Sequence, residues 1–169
     1  MSRVVLSAGS NMGDRLSHLQ SVADELGDRI ISASHVYATA PWGGVEQDDF
    51  YNVTLIADDP GRDPWDWLRL CHLLEWRADR VRDVRWGPRS LDVDVIACYD
   101  PAEVRSRHHD LELPHPRARS RAFVLVPWLQ IEPDATLGGT AVRELVAALG
   151  PAEIGGVGST THSLTLPAR

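Results

Sequence analysis

The order strand, helix, strand, strand, helix, strand between Val4 and Ile96 predicts an α+β, ferredoxin-like (split β-α-β) fold. In that fold an antiparallel sheet carries helices packed on one face, with the ligand site on loops and the open side. Three observations carry the prediction: two segments with apolar residues at helical spacing, short β-branched runs between them, and Gly, Pro, Asn and Asp at the joints. With 169 residues, 43% of them apolar and 24% charged, the chain suits one domain with a real hydrophobic core.

"VVLSAGSN", Val4 to Asn11, reads as a strand entering a Gly-Ser-Asn turn. Leu16, Leu19, Val22, Ala23 and Leu26 then recur at helical spacing, and Gly27 closes the helix. "IISASHVYAT" is β-branched and alternating, "APWGGVEQDD" is turn-rich, and "FYNVTLIAD" is another strand. Asp63 caps a second helix with Pro64 in its first turn, and Trp65, Leu68, Leu70, Leu73 and Leu74 give it an apolar face running to about Arg80. "RWGPRSLDVDVI" supplies the next strand, "SRHHDLELPHPRARSR" a polar connection, "AFVLVPWLQI" a buried element and "TAVRELVAAL" a last helix. The expected organisation is a single domain over 1–149 and a mobile Gly/Ser/Thr-rich tail over 150–169.

Composition narrows the function classes. The net charge of −7 opposes binding to duplex nucleic acid. No apolar run reaches the ~20 residues that span a bilayer, and the apolar stretch at the start is too short for a signal peptide, so a cytoplasmic protein is expected. Cys71 and Cys98, widely spaced among apolar neighbours, read as core residues rather than a disulfide, zinc or redox pair. All 17 basic residues are arginine, which excludes a lysine-bearing phosphate loop and Schiff-base chemistry. Anionic ligands would be held by planar arginine forks, with or without metal.

Asp92 and Asp94 interrupt an otherwise apolar strand, and strand alternation points both carboxylates to one side. Ion pairing with Arg85 and Arg89 is one reading. Shared divalent metal is the other, since magnesium favours a few carboxylates plus substrate phosphates. Arg77, Arg80, Arg82, Arg85 and Arg89 crowd the segment just before, and cations beside a carboxylate pair suit a polyphosphate. Arg117, Arg119 and Arg121 form a second basic cluster beside His115. Trp42, Phe50, Tyr51 and Phe123 are aromatics near turns, where Asn52 could read a planar heterocycle through paired donor and acceptor bonds.

"GSN", "FYN", "RWGPRSLDVDVI" and "LPHPRARSRAFVLVPW", in this order over about residues 3 to 135, resemble the 6-hydroxymethyl-7,8-dihydropterin pyrophosphokinases of folate biosynthesis. The resemblance implies transfer of pyrophosphate from ATP to the pterin hydroxymethyl group with release of AMP. It further implies that Asp92 and Asp94 hold two Mg2+ ions, and that Arg80 and Arg89 act with them in catalysis by stabilising phosphate charge. Arg80, Arg82, Trp86, Arg89, His115 and Arg121 would contact ATP. Thr39, Trp42, Gly43, Phe50, Asn52, Asp92 and Phe123 would form the pterin site, with the ring between Phe50 and Phe123. His72 and Pro116 depart from residues common in the family. The partners implied are the two small-molecule substrates, with no nucleic acid, no membrane and a monomeric chain.

Two other classes fit parts of the sequence. Nucleotidyltransferases combine Gly-Ser with a later Asp-x-Asp, but about a helix apart, whereas most of the domain separates Ser10 from Asp92. An RNA-recognition module would use Phe50 and Tyr51 as stacking platforms, against the acidic charge and the strand carboxylates.

Overall fold

The computed structural model describes residues 2–41, 46–78 and 90–168. Strands β1 (Ser2–Ser10), β2 (Ile30–Ala33), β3 (His35–Thr39), β4 (Phe50–Asp59) and β5 (Asp92–Tyr99) alternate with helices α1 (Arg15–Leu26) and α2 (Pro64–Arg77) as the sequence predicts. The hairpin β6 (Ser106–His108) and β7 (Leu111–Leu113) follows, then α3 (Ala122–Ile131), a second hairpin β8 (Thr136–Leu137) and β9 (Thr140–Ala141), α4 (Val142–Ala148), α5 (Pro151–Gly155) and β10 (Val157–Ser163). The main sheet runs β10-β3-β4-β1-β5, with antiparallel neighbours and β2 also paired to β4. Without β10 this is the strand order of the split β-α-β fold.

Local chemistry sets the helix ends. The Asp14 carboxylate accepts the Ser17 N–H at 3.0 Å, and α1 stops at Gly27, whose φ of 54° suits glycine. On α2, Asp63 and Asp66 each accept the other's backbone N–H, a complete capping box, with Pro64 at its first turn. The buried stripe of α2 is Trp67, Leu70, Cys71 and Leu74, the i, i+3, i+4, i+7 set. Leu73, expected on that face, lies one position out of phase and is exposed. The helix ends at Arg77 rather than near Arg80.

Alternation along the strands builds two cores. Val4, Leu6 and Ala8, Val53 and Leu55, and Val93 and Val95 face α1 and α2. On the opposite face Val5, Ile56, Ile96 and Ala97 pack under Val124, Leu125 and Trp128 of α3 and Leu145 of α4. The "AFVLVPWLQI" element is thus a helix, and helices cover part of the second face as well. The reason is that this face is apolar over only half its length. One or two pairs further along, the face turns polar at Ser7, Gly9, Asn52, Asp92 and Asp94, which line a cavity instead of an apolar core. Both cysteines are free and buried, as expected of core thiols, and burial pushes the Cys98 thiol up to about 12.

The segment expected as a mobile tail is structured. Pro151–Gly155 form a helix and Val157–Ser163 add an edge strand to β3. Its Gly, Ser and Thr residues bury little apolar area, so backbone pairing rather than a hydrophobic pattern holds it. Among the described residues no helix is long and apolar enough to cross a membrane.

Candidate active site

A cavity of about 650 Å³ opens where α3 stops covering the sheet. Its floor is the polar half of the sheet face. Ser7 pairs with Asp94 and Gly9 with Asp92 across β1 and β5, while Gly9 pairs with Asn52 across β1 and β4. Period-two alternation therefore places both carboxylates, Asn52 and the backbone of Gly9 on one floor. Gly9 is the residue that this floor requires, since a Cβ there would lie 2.9 Å from Asn52 Oδ1. Asn52 is buried and its Nδ2 donates to Thr39 Oγ1 at 2.8 Å, which aims its carbonyl oxygen toward Gly9.

Strand β5 bulges opposite the Val5–Leu6 step, with Ile96 as the extra residue. The Ile96 carbonyl accepts the His115 N–H at 2.8 Å, which ties the Pro-His-Pro loop to the strand two residues beyond Asp94. Asp94 consequently lies between a cation and an imidazole. Arg121 Nη1 donates to its Oδ2 at 3.2 Å, and His115 Nε2 stands 3.9 Å from the same oxygen. Burial, aided by Arg121 and Arg117, lowers the His115 pKa from 6.5 to about 4 against a weaker upward pull from Asp92. His115 Nδ1 accepts the Arg117 N–H at 3.2 Å, so the neutral ring carries its proton on Nε2, facing Asp94.

A buried carboxylate completes the carboxylate strand from behind. Glu75, on the buried stripe of α2, accepts the Val93 N–H at 3.0 Å, fixing the peptide between Asp92 and Asp94.

Seven residues anticipated from sequence line this one cavity: Thr39, Phe50, Asn52, Asp92, Asp94, Arg121 and Phe123. The guanidinium of Arg121 also lies 5.5 Å from the Phe123 ring centroid, so the cationic and aromatic parts of the site adjoin. Trp42, Gly43, Arg80, Arg82, Trp86 and Arg89 lie outside the described residues. Tyr51 faces away from Phe50, under the Arg15 guanidinium at 3.8 Å and beside the His162 ring, so the two rings form no shared stacking platform.

Sequence reasoning missed Glu75, Ser7 and the cavity-lining residues of the C-terminal segment, Ala152, Glu153, Gly156 and Val157. A signal existed for Glu75, which sits at the i, i+4 offset from Cys71 inside the apolar stripe.

Residues 5–133 match the family model described as 7,8-dihydro-6-hydroxymethylpterin-pyrophosphokinase (HPPK). The 2-amino-4-hydroxy-6-hydroxymethyldihydropteridine pyrophosphokinase of Mycobacterium tuberculosis (strain ATCC 25618 / H37Rv) is 54% identical over 163 residues, covering 90% of this chain and 87% of that protein. The proteins of the same name from Mycobacterium leprae and Methylorubrum extorquens are 50% and 42% identical, with coverage of 98% and 91% of this chain and 93% and 98% of theirs. Among solved structures, an HPPK-DHPS crystallised with substrates superposes with a TM-score of 0.62 at 10% identity over 87% of this chain, which spans 44% of that longer chain. The Plasmodium falciparum HPPK-DHPS superposes with a TM-score of 0.61 at 14% identity, over 87% of this chain and 43% of its own. These likenesses show a shared fold.

Proposed function

Since the chain belongs to the 7,8-dihydro-6-hydroxymethylpterin-pyrophosphokinase family and is an ATP-dependent pyrophosphokinase of folate biosynthesis, we propose that its cavity seats both substrates on one sheet face. The pterin lies between Phe50 and Phe123 with its edge on Asn52, and the ATP phosphates lie beside Asp92, Asp94 and Arg121. The observation that carries this is the shared floor: the heterocycle-reading amide on β4 and the carboxylate pair on β5 flank β1 and line a single cavity.

The donor set fits magnesium. Two half-exposed carboxylates on one strand face offer only oxygen ligands, and the remaining positions suit phosphate oxygens. Asp92 and Asp94 would hold two Mg2+ ions, which supply neutralisation of phosphate charge when bound. The chain itself contributes position. Asn52, locked by Thr39, fixes the ring plane, and Asp92 contacts the hydroxymethyl end. Arg121 exchanges its bond to Asp94 for phosphate oxygens as the anionic substrate arrives. Neutral His115 donates from Nε2 to a phosphate oxygen. The hydroxymethyl oxygen then bonds to the β-phosphorus and releases its proton to solvent, the bond from that phosphorus to the α-bridging oxygen breaks, and AMP leaves with the oxygen. Arg80, Arg82, Trp86 and Arg89 act from the segment before β5, with Arg80 and Arg89 on the transferring phosphates, and Trp42 and Gly43 close the pterin side. This reading takes the chain as a cytoplasmic monomer whose partners are the two small molecules.

The test is AMP release from ATP, measured with and without 6-hydroxymethyl-7,8-dihydropterin and with and without magnesium. Pterin- and magnesium-dependent AMP formation is expected. AMP formation indifferent to either would overturn the assignment of the site.

A further inference from the structure

The C-terminal segment carries an inference beyond this reaction. Ala152, Glu153, Gly156 and Val157 line the cavity, although they lie far beyond the motifs that build its floor. Strand β10 places them: Val157 pairs with Thr39, Gly158 with Ala38 and Ser159 with Tyr37. Thr39 in turn holds Asn52 through its hydroxyl. In the order β10-β3-β4-β1-β5, this edge is opposite the one that bears Asp92 and Asp94, roughly 19 Å away at ~4.8 Å per strand. The segment therefore walls the heterocycle end of the cavity and not the phosphate end.

Its fastenings lie outside the cavity. The Thr160 hydroxyl donates to the Val36 carbonyl at 2.6 Å. Gln20 on α1 clasps the Thr165 backbone from both sides, accepting its N–H at 2.9 Å and donating to its carbonyl at 2.8 Å. Leu164 packs against the core between these points. Most β10 side chains are exposed, so little apolar burial adds to these bonds. A wall held mainly by a few polar bonds opens locally at low cost compared with the rest of the sheet.

We propose that residues 150–165 form a strap that completes the pterin pocket, and that its fastenings at Gln20 and Thr160 set affinity for the pterin without setting affinity for ATP. A pterin that touches the closed strap binds that state better and shifts its population, while a nucleotide at the far edge does not. The proposal rests on the placement of the pterin given above.

Two experiments on the full-length chain test it. In the doubly substituted Gln20→Ala, Thr160→Val protein, KM for the pterin should rise about fivefold or more, the scale of one net hydrogen bond's worth of anchoring, with KM for ATP and kcat changed less than about twofold. An unchanged pterin KM, or equal rises for both substrates, overturns the strap. Hydrogen exchange on the unsubstituted protein does not depend on how that variant folds. The pterin substrate without ATP should slow exchange at Val157–Ser159, and a nonhydrolysable ATP analogue alone should not. Protection at Phe50–Asn52 without protection at Val157–Ser159 overturns the strap and leaves the pterin placement standing. Protection at neither overturns that placement and the strap with it.

Discussion

Glu75 Oε1 accepts the Val93 N–H at 3.0 Å, so a buried carboxylate on α2 holds the peptide between the two cavity-facing aspartates. A strand with a carboxylate on either side of one peptide is under like-charge repulsion. An acceptor fixed by a packed helix keeps both side chains aimed at the same space.

The first prediction follows from that bond. Glu75→Ala leaves the Val93 N–H buried without this acceptor and should cost about 1–3 kcal/mol of stability, together with a loss of turnover larger than the loss of ATP affinity. Glu75→Gln keeps an acceptor oxygen and should recover most of both. Urea unfolding alongside AMP-release kinetics checks it, and equal effects of the two substitutions would show that charge rather than the hydrogen bond matters.

Asp92→Ala or Asp94→Ala should each lower turnover by more than the order of 10³, since each removes a carboxylate proposed to hold the Mg2+ that would neutralise phosphate charge. Folding should survive. Asp94→Ala also releases Arg121 and His115 from their shared oxygen. Near-wild-type rates at saturating magnesium would remove the metal assignment.

Phe123 lines the cavity at the start of α3, beneath the Arg121 guanidinium. Phe123→Ala should weaken pterin binding by roughly 1–3 kcal/mol, the scale of a lost aromatic stack, and barely change ATP affinity. Intact pterin affinity in a destabilised protein would make Phe123 a core residue instead.

Gly9→Ala puts a methyl carbon where Asn52 Oδ1 now stands, 2.9 Å from the ideal Cβ position. Asn52 must shift, which strains its bond to Thr39. The pterin KM should rise by about tenfold, the scale of one strong polar contact, with the ATP KM unchanged. Isothermal titration with each substrate separates the two effects.

His115 predicts a pH dependence of stability. Its folded pKa of about 4 lies below the ordinary 6.5, so between these values the unfolded chain takes up a proton that the folded one refuses. Stability falls as pH drops from about 6.5 to 4, by no more than about 3 kcal/mol for this group, and His115→Gln should flatten that part of the curve. Urea midpoints across the pH range provide the measurement. Identical slopes with and without His115 would contradict the assigned burial.

The sequence by itself determined the features that repeat along the chain. The apolar stripe of α1, the Asp63 cap of α2, the shared side of Asp92 and Asp94 and the buried cysteines all follow from local spacing or residue chemistry, and the structure has each of them. Tertiary structure decided the rest. "AFVLVPWLQI" is apolar all round, so no period marked it as a helix, and the apolar half of the sheet face is what received it. The spacing of Glu75 places it on the apolar stripe, but its partner, a peptide N–H, arrives only with β5. The C-terminal segment offers no hydrophobic period because β10 is an edge strand held through backbone groups, and every residue carries those groups alike. Side-chain pattern encodes which face turns inward, whereas the meeting of backbone groups from distant segments depends on where the completed sheet leaves an edge free.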